Sequence, residues 1–383
     1  MSDGTPQLTF AAAPVEHHDS QDLTDGIGIA LSGGGYRAML FHLGFVWRLR
    51  DAGLLAQVKR VSSVSGGSIT AGALALAWPD IDWQDDGTSF RDLVVNPVTT
   101  LARKTIDIPA AIIGRIPGLS GFWVRRSYDR VLFRGKTLQD LPDEPRFVFN
   151  ATSLHSGKLF RCSKPYLAEW TFGRWFDPTT RLSAVVAASS AFPPVLSPVT
   201  IDVAGFRYDP DKGKGRKPPG SFRLTDGGVY DNLGLETVWK NYRTLFVSDG
   251  GAGFEYQEQP SALLSLQALR VTFMMQDQVG MLRMRQMIAG FNAPDDSPLK
   301  RIGFLSSIGT PMVNGRPPNP LPYSANGARE LAATKTALRG LEERYIQRLI
   351  NWGYILADDR LRTSPGFGHV PAPQDLPFSR APV

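Results

Sequence analysis

A single cysteine, Cys162, stands in the whole chain, so no internal disulfide can form and stability must come from packing. Long apolar runs are missing too. Nowhere do about 18 uncharged apolar residues follow one another, which argues against a spanning helix and leaves attachment to a membrane surface open. Residues 1–26 hold no apolar stretch long enough for the core of a signal peptide, and the expected location is the cytoplasm. Histidine is scarce: His17, His18, His42, His155 and His369 are the full set. Neither a calcium-type acidic cluster nor zinc-type Cys/His spacing is evident, so no metal or cofactor is expected. The glycines at 33–35 are not followed by G-K-[ST], and after Gly26 and Gly28 comes Leu31 where a third glycine is needed. Both absences argue against a nucleotide-phosphate loop. No internal repeat is present.

What is present is ample core material. With 383 residues, 42% of them hydrophobic, the chain suffices for one large α/β domain or two ordinary ones. Lys plus Arg exceed Asp plus Glu, 42 against 36. Much of the surplus lies between Leu101 and Lys136, where Arg103, Lys104, Arg115, Arg125, Arg126, Arg130, Arg134 and Lys136 face only Asp107 and Asp129. The same stretch contains IPAAIIGRIPGLSGFWV. Ile112, Ile113, Ile116, Phe122 and Trp123, with Arg125 and Arg126 beside them, suit a headgroup boundary, although a solvated basic face on a helical insertion is the plainer alternative. Proline punctuation fits a cap better than a nucleic-acid groove, and no nucleic-acid partner is expected.

Residues 1–25 are polar, without periodicity, and read as a flexible arm. A domain over 26–362 opens with the strand GIGIALS, three glycines and the helical pattern RAMLFHLGFVWRLRDAG, stopped at Gly53. VKRVSSVS and GGSITAGALALAW repeat strand and helix, the latter ending at Pro79. Such a βαβα start is typical of a parallel sheet with helices on its faces. Residues 80–143 break the rhythm and read as a basic, apolar helical insertion over the sheet. Strands return at RFVFNATSL, KLFRC, VTIDVAGFRYD, SFRLT and TLFVSDG. Leu338, Leu341, Tyr345, Leu349 and Trp352 mark a late helix, and 363–383 form a tail. A helical region at 262–290 carries Met274, Met275, Met281, Met284 and Met287, whose flexible thioethers suit either an acyl-chain pocket or ordinary core.

The chemistry concentrates at two turns and one strand end. Ser65, in SVSGG, sits between strand and helix as in a nucleophile elbow; the alternative is an N-cap serine. The turn Gly33-Gly34-Gly35 ends the neighbouring strand, and its bared N–H groups suit an oxyanion hole beside Ser65. Arg37 would add positive potential near a phosphate or anchor the loop. The base is either His369, in a Ser65–Asp226–His369 triad, or a carboxylate acting directly, Asp226 in TDGGVYDN or its rival Asp249 in SDGG. His369 lies in a Pro/Gly-rich segment that favours a surface position.

These segments together resemble the patatin-like phospholipase family. GGGYR is similar to its G-G-G-x-[RK] loop, SVSGG to its G-x-S-x-G elbow and DGGVYDN to its D-G-[GA] motif, in the family's order. ASSAFPPVLSPV (188–199) is similar to a shortened A-S-x-A-x-P-x-x-F-P-P stretch. The likeness covers about residues 27–250, with Ser63 and Ala38 departing from glycines of the family pattern. The resemblance implies a three-layer α/β/α fold with a mostly parallel central sheet and the helical insertion over the active-site side. It implies a Ser65–Asp226 dyad without histidine or metal, an oxyanion loop at Gly33, Gly34 and Gly35, and hydrolysis of fatty-acyl esters of phospholipids or lysophospholipids at a peripheral membrane surface. It favours Asp226 over Asp249 because Val229–Asn232 also match. A soluble carboxylesterase or thioesterase with the triad, or a membrane-binding scaffold with a decayed site, are the alternatives.

Overall fold

In strand β1 (Thr24–Leu31) alternate side chains serve two different cores: Ile29 and Leu31 point into one layer, Ala30 into the other. A strand buried on both faces needs parallel neighbours whose crossovers put helices above and below it. The computed structural model describes residues 23–106, 119–193, 196–210, 215–251, 253–254, 256–310, 312, 321–367 and 369–383, and in it β1 is flanked by β2 (Val58–Ser63) and β10 (Tyr242–Asp249), both parallel to it. β11 (Ile302–Ser307) extends the parallel block beyond β10, and β3 (Arg146–Ser153) extends it beyond β2. The strand therefore starts before residue 26, so the boundary expected there falls inside β1; residues 1–22 lie outside the described residues.

One face of the block is covered by α1 (Gly35–Asp51), α2 (Gly66–Ala77) and α8 (Glu343–Thr363). The other is covered by the turns from Leu233 to Trp239 and by Met287, near the C-terminal end of α6 (Leu264–Asn292). The three layers and the central parallel strands are those expected. An antiparallel extension goes further: β4 (Leu159–Ser163), β5 (Tyr166–Glu169), β6 (Gly173–Phe176) and β8 (Arg207–Asp209) follow β3 in turn. VTIDVAGFRYD divides at Gly205 into β7 (Val199–Asp202) and β8.

One pairing places the site. β4 occupies one edge of β3, and the other edge is shared. β2 runs parallel along it as far as Ser63 opposite Phe149, and β9 (Ser221–Asp226) runs antiparallel along it with Asp226 opposite Ala151. β2 and β9 thus meet with their C-terminal ends head to head at Asn150.

Within residues 80–143 the described helices are α3 (Asn96–Ala102), α4 (Leu119–Tyr128) and short turns beside them, joined by irregular chain such as 81–87 and 134–137. Of the proposed membrane residues, Ile112, Ile113 and Ile116 lie outside the described residues. On α4, Phe122 and Trp123 are exposed while Val124 and Tyr128 are buried against the core, where α5 (Leu182–Ser189) packs. A short helix, α7 (Ala325–Ala332), precedes the late helix α8, which begins later than its periodicity suggested. Leu338 and Leu341 precede it because their backbone pairs instead with the segment after α3: Leu338 accepts from the Ile106 N–H, and Leu341 donates to the Ala102 carbonyl. After Thr363 the chain folds back on the core, burying Leu376, Ala381 and Val383, with Asn351 donating to the carbonyls of Phe378 and Ala381. Among the described residues no helix is long and apolar enough to cross a membrane.

α1, which starts in the site, is clamped by α8 where two glycines let the backbones touch. A Cβ at Gly44 would collide with the Ile350 carbonyl, and one at Gly353 with that of Phe41. Gly44→Ala or Gly353→Ala is expected to force the helices apart and destabilise the fold by about 3 kcal/mol, the upper end for overpacking, because backbone cannot rotate away. Denaturant midpoints at unchanged slope measure this.

Candidate active site

Ser65 leaves β2 in a conformation that L-residues avoid, with φ 51° and ψ −119°. Such backbone costs on the order of 1–3 kcal/mol and persists only when its surroundings enforce it. The enforcement is visible. The Ser65 N–H donates to Ser189 Oγ at 3.0 Å, and Ser189 Oγ in turn donates to the Asn150 carbonyl at 2.6 Å. Val64 donates to Leu31 O, and Gly67 to Ser32 O, which pins both sides of the turn to β1. The glycines after the serine are needed because α2 starts against the β1–α1 loop: a Cβ at Gly66 would strike the Gly35 carbonyl. Ser63 is the last residue of β2, buried away from the turn, its hydroxyl donating to Val148 O at 3.3 Å and accepting from Ser68 Oγ at 3.0 Å. Its replacement of glycine therefore leaves the elbow intact.

The three glycines of the loop do different things. The Gly33 N–H donates to the Asn232 carbonyl at 3.0 Å, so it is not available to an oxyanion, contrary to the expectation that included it. Gly34 and Gly35 adopt φ 141° and 62°, and their N–H groups have no acceptor among the described residues. Arg37 is buried. Its guanidinium donates to the carbonyls of Gly250 and Thr334 and to Thr336 Oγ1, and it does not line the cavity described below. Burial lowers its pKa to about 10. Of the two roles expected for Arg37, it fills that of loop anchor and not that of anion support.

Asp226 closes the other side. Only 2% of it is exposed, and desolvation raises its carboxyl to about 7, tempered by the Gly228 N–H and by the Ser65 hydroxyl. Oδ1 accepts from Gly228 N at 2.7 Å, whereas Oδ2 has no hydrogen-bond partner among the described residues. Asp249, also buried and raised, is occupied differently: its oxygens accept from Gly251 N at 2.9 Å and Ser307 Oγ at 3.1 Å.

The histidines stand apart. His42 is buried, its Nε2–H donating to Ser32 O and its Nδ1 accepting from Ser248 Oγ; burial drops its pKa to about 3, so it stays neutral. His155 Nε2 accepts from the Arg223 N–H. His369 is exposed, two residues from Pro371, whose carbonyl accepts from Arg48 at 2.6 Å. Arg48 lies about 20 Å along α1 from Gly35, at the far end of the sheet. That placement removes the Ser65–Asp226–His369 triad.

Ser65, Asp226, Gly34 and Gly35 all line one cavity of about 880 Å³, within the usual range for ligand sites. Its walls are largely apolar: Phe192, Leu196, Leu233, Leu266, Phe273, Met281, Met284 and Leu338, with Asn232 and Gln276 among the polar groups. α6 supplies most of one wall, and no described residue of 80–143 contributes. The methionines divide: Met281 and Met284 line the cavity, Met287 is core, and Met274 and Met275 are exposed. Among the described residues no group of His, Cys, Asp or Glu is placed to hold a metal ion. Sequence reasoning passed over Ser189 and Asn150. The ASSAFPP stretch was noticeable, but nothing in it says which serine reaches the elbow.

Two outcomes follow from this geometry. Ser189→Ala removes the acceptor for the Ser65 N–H and is expected to lower kcat by about 10- to 100-fold with little change in KM, at a stability loss of about 1–2 kcal/mol. For Asp226, the folded state holds its proton up to about pH 7 whereas the unfolded chain releases it near 3.8. The ionised carboxylate therefore costs stability increasingly as pH rises through that window. Asp226→Asn is expected to melt higher than wild type at pH 8, the difference shrinking towards pH 4.

No curated protein sequence matches the chain. Among solved structures it is similar to human GIVD cytosolic phospholipase A2, at 12% identity, covering 88% of this chain and 61% of that one, with a TM-score of 0.50. It is also similar to that human enzyme in complex with methyl gamma-linolenyl fluorophosphonate, at 15% identity, 87% and 57% coverage and a TM-score of 0.50. The chain spans about three fifths of the length of those structures, and the likeness at this identity is one of fold. The model of the patatin-like phospholipase family matches residues 29–239, from β1 through the Ser65 elbow to the turns after Asp226. That is more than half of the sequence, and the chain belongs to the patatin-like phospholipase family.

Proposed function

We propose that the chain hydrolyses fatty-acyl esters of phospholipids or lysophospholipids with a Ser65–Asp226 dyad, working at a lipid surface. The observation that carries the reading is a buried carboxyl with one oxygen unengaged, beside a serine held in an elbow, at the floor of a largely apolar cavity. Family membership supports the same class of chemistry.

Ser65 Oγ attacks the ester carbonyl as its proton passes to Asp226 Oδ2. A carboxyl raised to about 7 is a far better base than one near 4, and at neutral pH about half is ionised. The carbonyl oxygen becomes an oxyanion and takes hydrogen bonds from the N–H groups of Gly34 and Gly35. Each such donor is worth about 3 kcal/mol in the transition state. Collapse breaks the ester bond, the leaving alcohol takes the proton from Asp226, and the acyl group stays on Ser65. Water then gives a proton to Asp226 and its oxygen to the acyl carbon. The second tetrahedral intermediate expels Ser65, which recovers the proton, and the fatty acid is released. The apolar walls hold the acyl chain and keep stray water from the carboxyl.

Purified protein is expected to release fatty acid from phospholipid vesicles. Ser65→Ala and Asp226→Asn should each abolish release with native circular dichroism, and a fluorophosphonate probe should label wild type but not Ser65→Ala. His369→Ala should retain activity. The kcat/KM profile should rise with pH through a single ionisation near 7, set by Asp226. Ester hydrolysis confined to soluble short-chain substrates would replace the lipid reading with a carboxylesterase.

A further inference from the structure

Helix α6 has its charges on the wrong side for a helix facing water. A surface helix normally turns an apolar stripe to the core and charge to solvent. On α6, Leu266, Phe273, Met281 and Met284 line the cavity, as do Arg270 and Asp277. Of the two remaining charged residues, Arg283 pairs with Glu236 at 2.7 Å and Arg285 lies on a flank. Opposite the cavity, at helical spacing of four, three and four, run Leu264, Ala268, Val271, Met275, Gln278 and Leu282 without a charge among them. Leu264 is 78% exposed, Met275 66% and Leu282 60%. The helix is apolar on both faces, yet cannot span a bilayer.

We propose that this outward face of α6 is the surface on which the protein lies against an anionic phospholipid bilayer, with the cavity opening at the helix edge. The proposal rests on the lipid-hydrolase reading above and names its docking face. Three observations choose a bilayer as the occupant. The helix that bears the face also walls the cavity holding Ser65, so an acyl chain leaving the bilayer passes round one helix to reach the nucleophile. Exposed Arg285 on the flank of this face is the charge placed to meet anionic headgroups, and an apolar stripe with a basic flank is the composition of interfacial helices. Leu263, 61% exposed and next to Leu264 in the chain, continues the apolar surface just ahead of the helix. A second copy of the chain is the poorer fit, because the face lacks flanking charges of both signs that would set a register between paired helices. The face also displaces α4 as the main contact, since no described residue of α4 lines the cavity.

The test separates docking from chemistry. In a Ser65→Ala background, flotation with phosphatidylcholine vesicles containing phosphatidylglycerol should recover the full-length protein. Adding Val271→Glu, Met275→Glu and Leu282→Glu together should weaken that binding by at least about tenfold. With Ser65 restored, the same triple variant should hydrolyse a soluble short-chain ester at the wild-type rate, because none of the three residues lines the cavity. A dye on Met275→Cys should shift to the blue on vesicles; Cys162 is buried and stays unlabelled. Vesicle binding unchanged by the triple variant, or lost instead in Phe122→Glu with Trp123→Glu, would overturn the proposal. So would a wild-type dimer that the triple variant splits while vesicle binding persists. Activity surviving Ser65→Ala would sink the dyad while leaving the docking result to stand by itself.

Discussion

Everything in the site depends on how one edge of β3 is divided. β2 uses the first half of that edge and β9, running the other way, uses the second, so two strand ends distant in sequence point at each other across Asn150. Asn150 stitches the junction. Its side-chain N–H donates to the Ser63 carbonyl and to Ser62 Oγ, while its own carbonyl accepts from Ser189, the residue that receives the Ser65 amide. A strand end is where backbone hydrogen bonding stops and the chain must turn. Two such ends meeting create a place where side chains are both buried and free to react.

The local arrangement is unstable in three respects at once. Ser65 sits at positive φ and, among the described residues, Asp226 is buried without a cation beside it and two amides of the β1–α1 loop lack acceptors. Each opposes folding, and each is what the proposed acyl transfer would use: a hydroxyl lining the cavity, a base matched to neutral pH, and donors free for a charge that exists only during reaction. The surrounding packing holds them. α1 is clamped by α8, Arg37 ties the loop to Gly250 and Thr334, and the hydroxyls of Ser63, Ser68 and Ser189 cluster under the elbow.

Legibility in the sequence followed the range of the interaction. The opening βαβα rhythm, the stop at Gly53 and the central parallel strands were readable because apolar periodicity and glycine turns are local signals. Assignments resting on chain order or composition fared worse. His369 has the right order for a triad and lies at the wrong end of the sheet. Gly33 belongs to the same glycine run as Gly34 and Gly35 but gives its N–H to Asn232, a partner nearly two hundred residues away. The exposed face of α6 was hidden because the helix is apolar nearly all round, and periodicity cannot tell which apolar side meets the core.

Residue types and short spacings by themselves pointed to the fold class, one candidate serine and two carboxylate candidates, since strand–glycine–helix turns and D-G-G ends are written within a few positions. Tertiary structure decided between Asp226 and Asp249 as neighbour of Ser65, and which amides stay unengaged. It also decided which wall covers the cavity. Those outcomes depend on desolvation and on hydrogen-bond partners brought from distant segments, and neither quantity exists until the sheet has closed around the site.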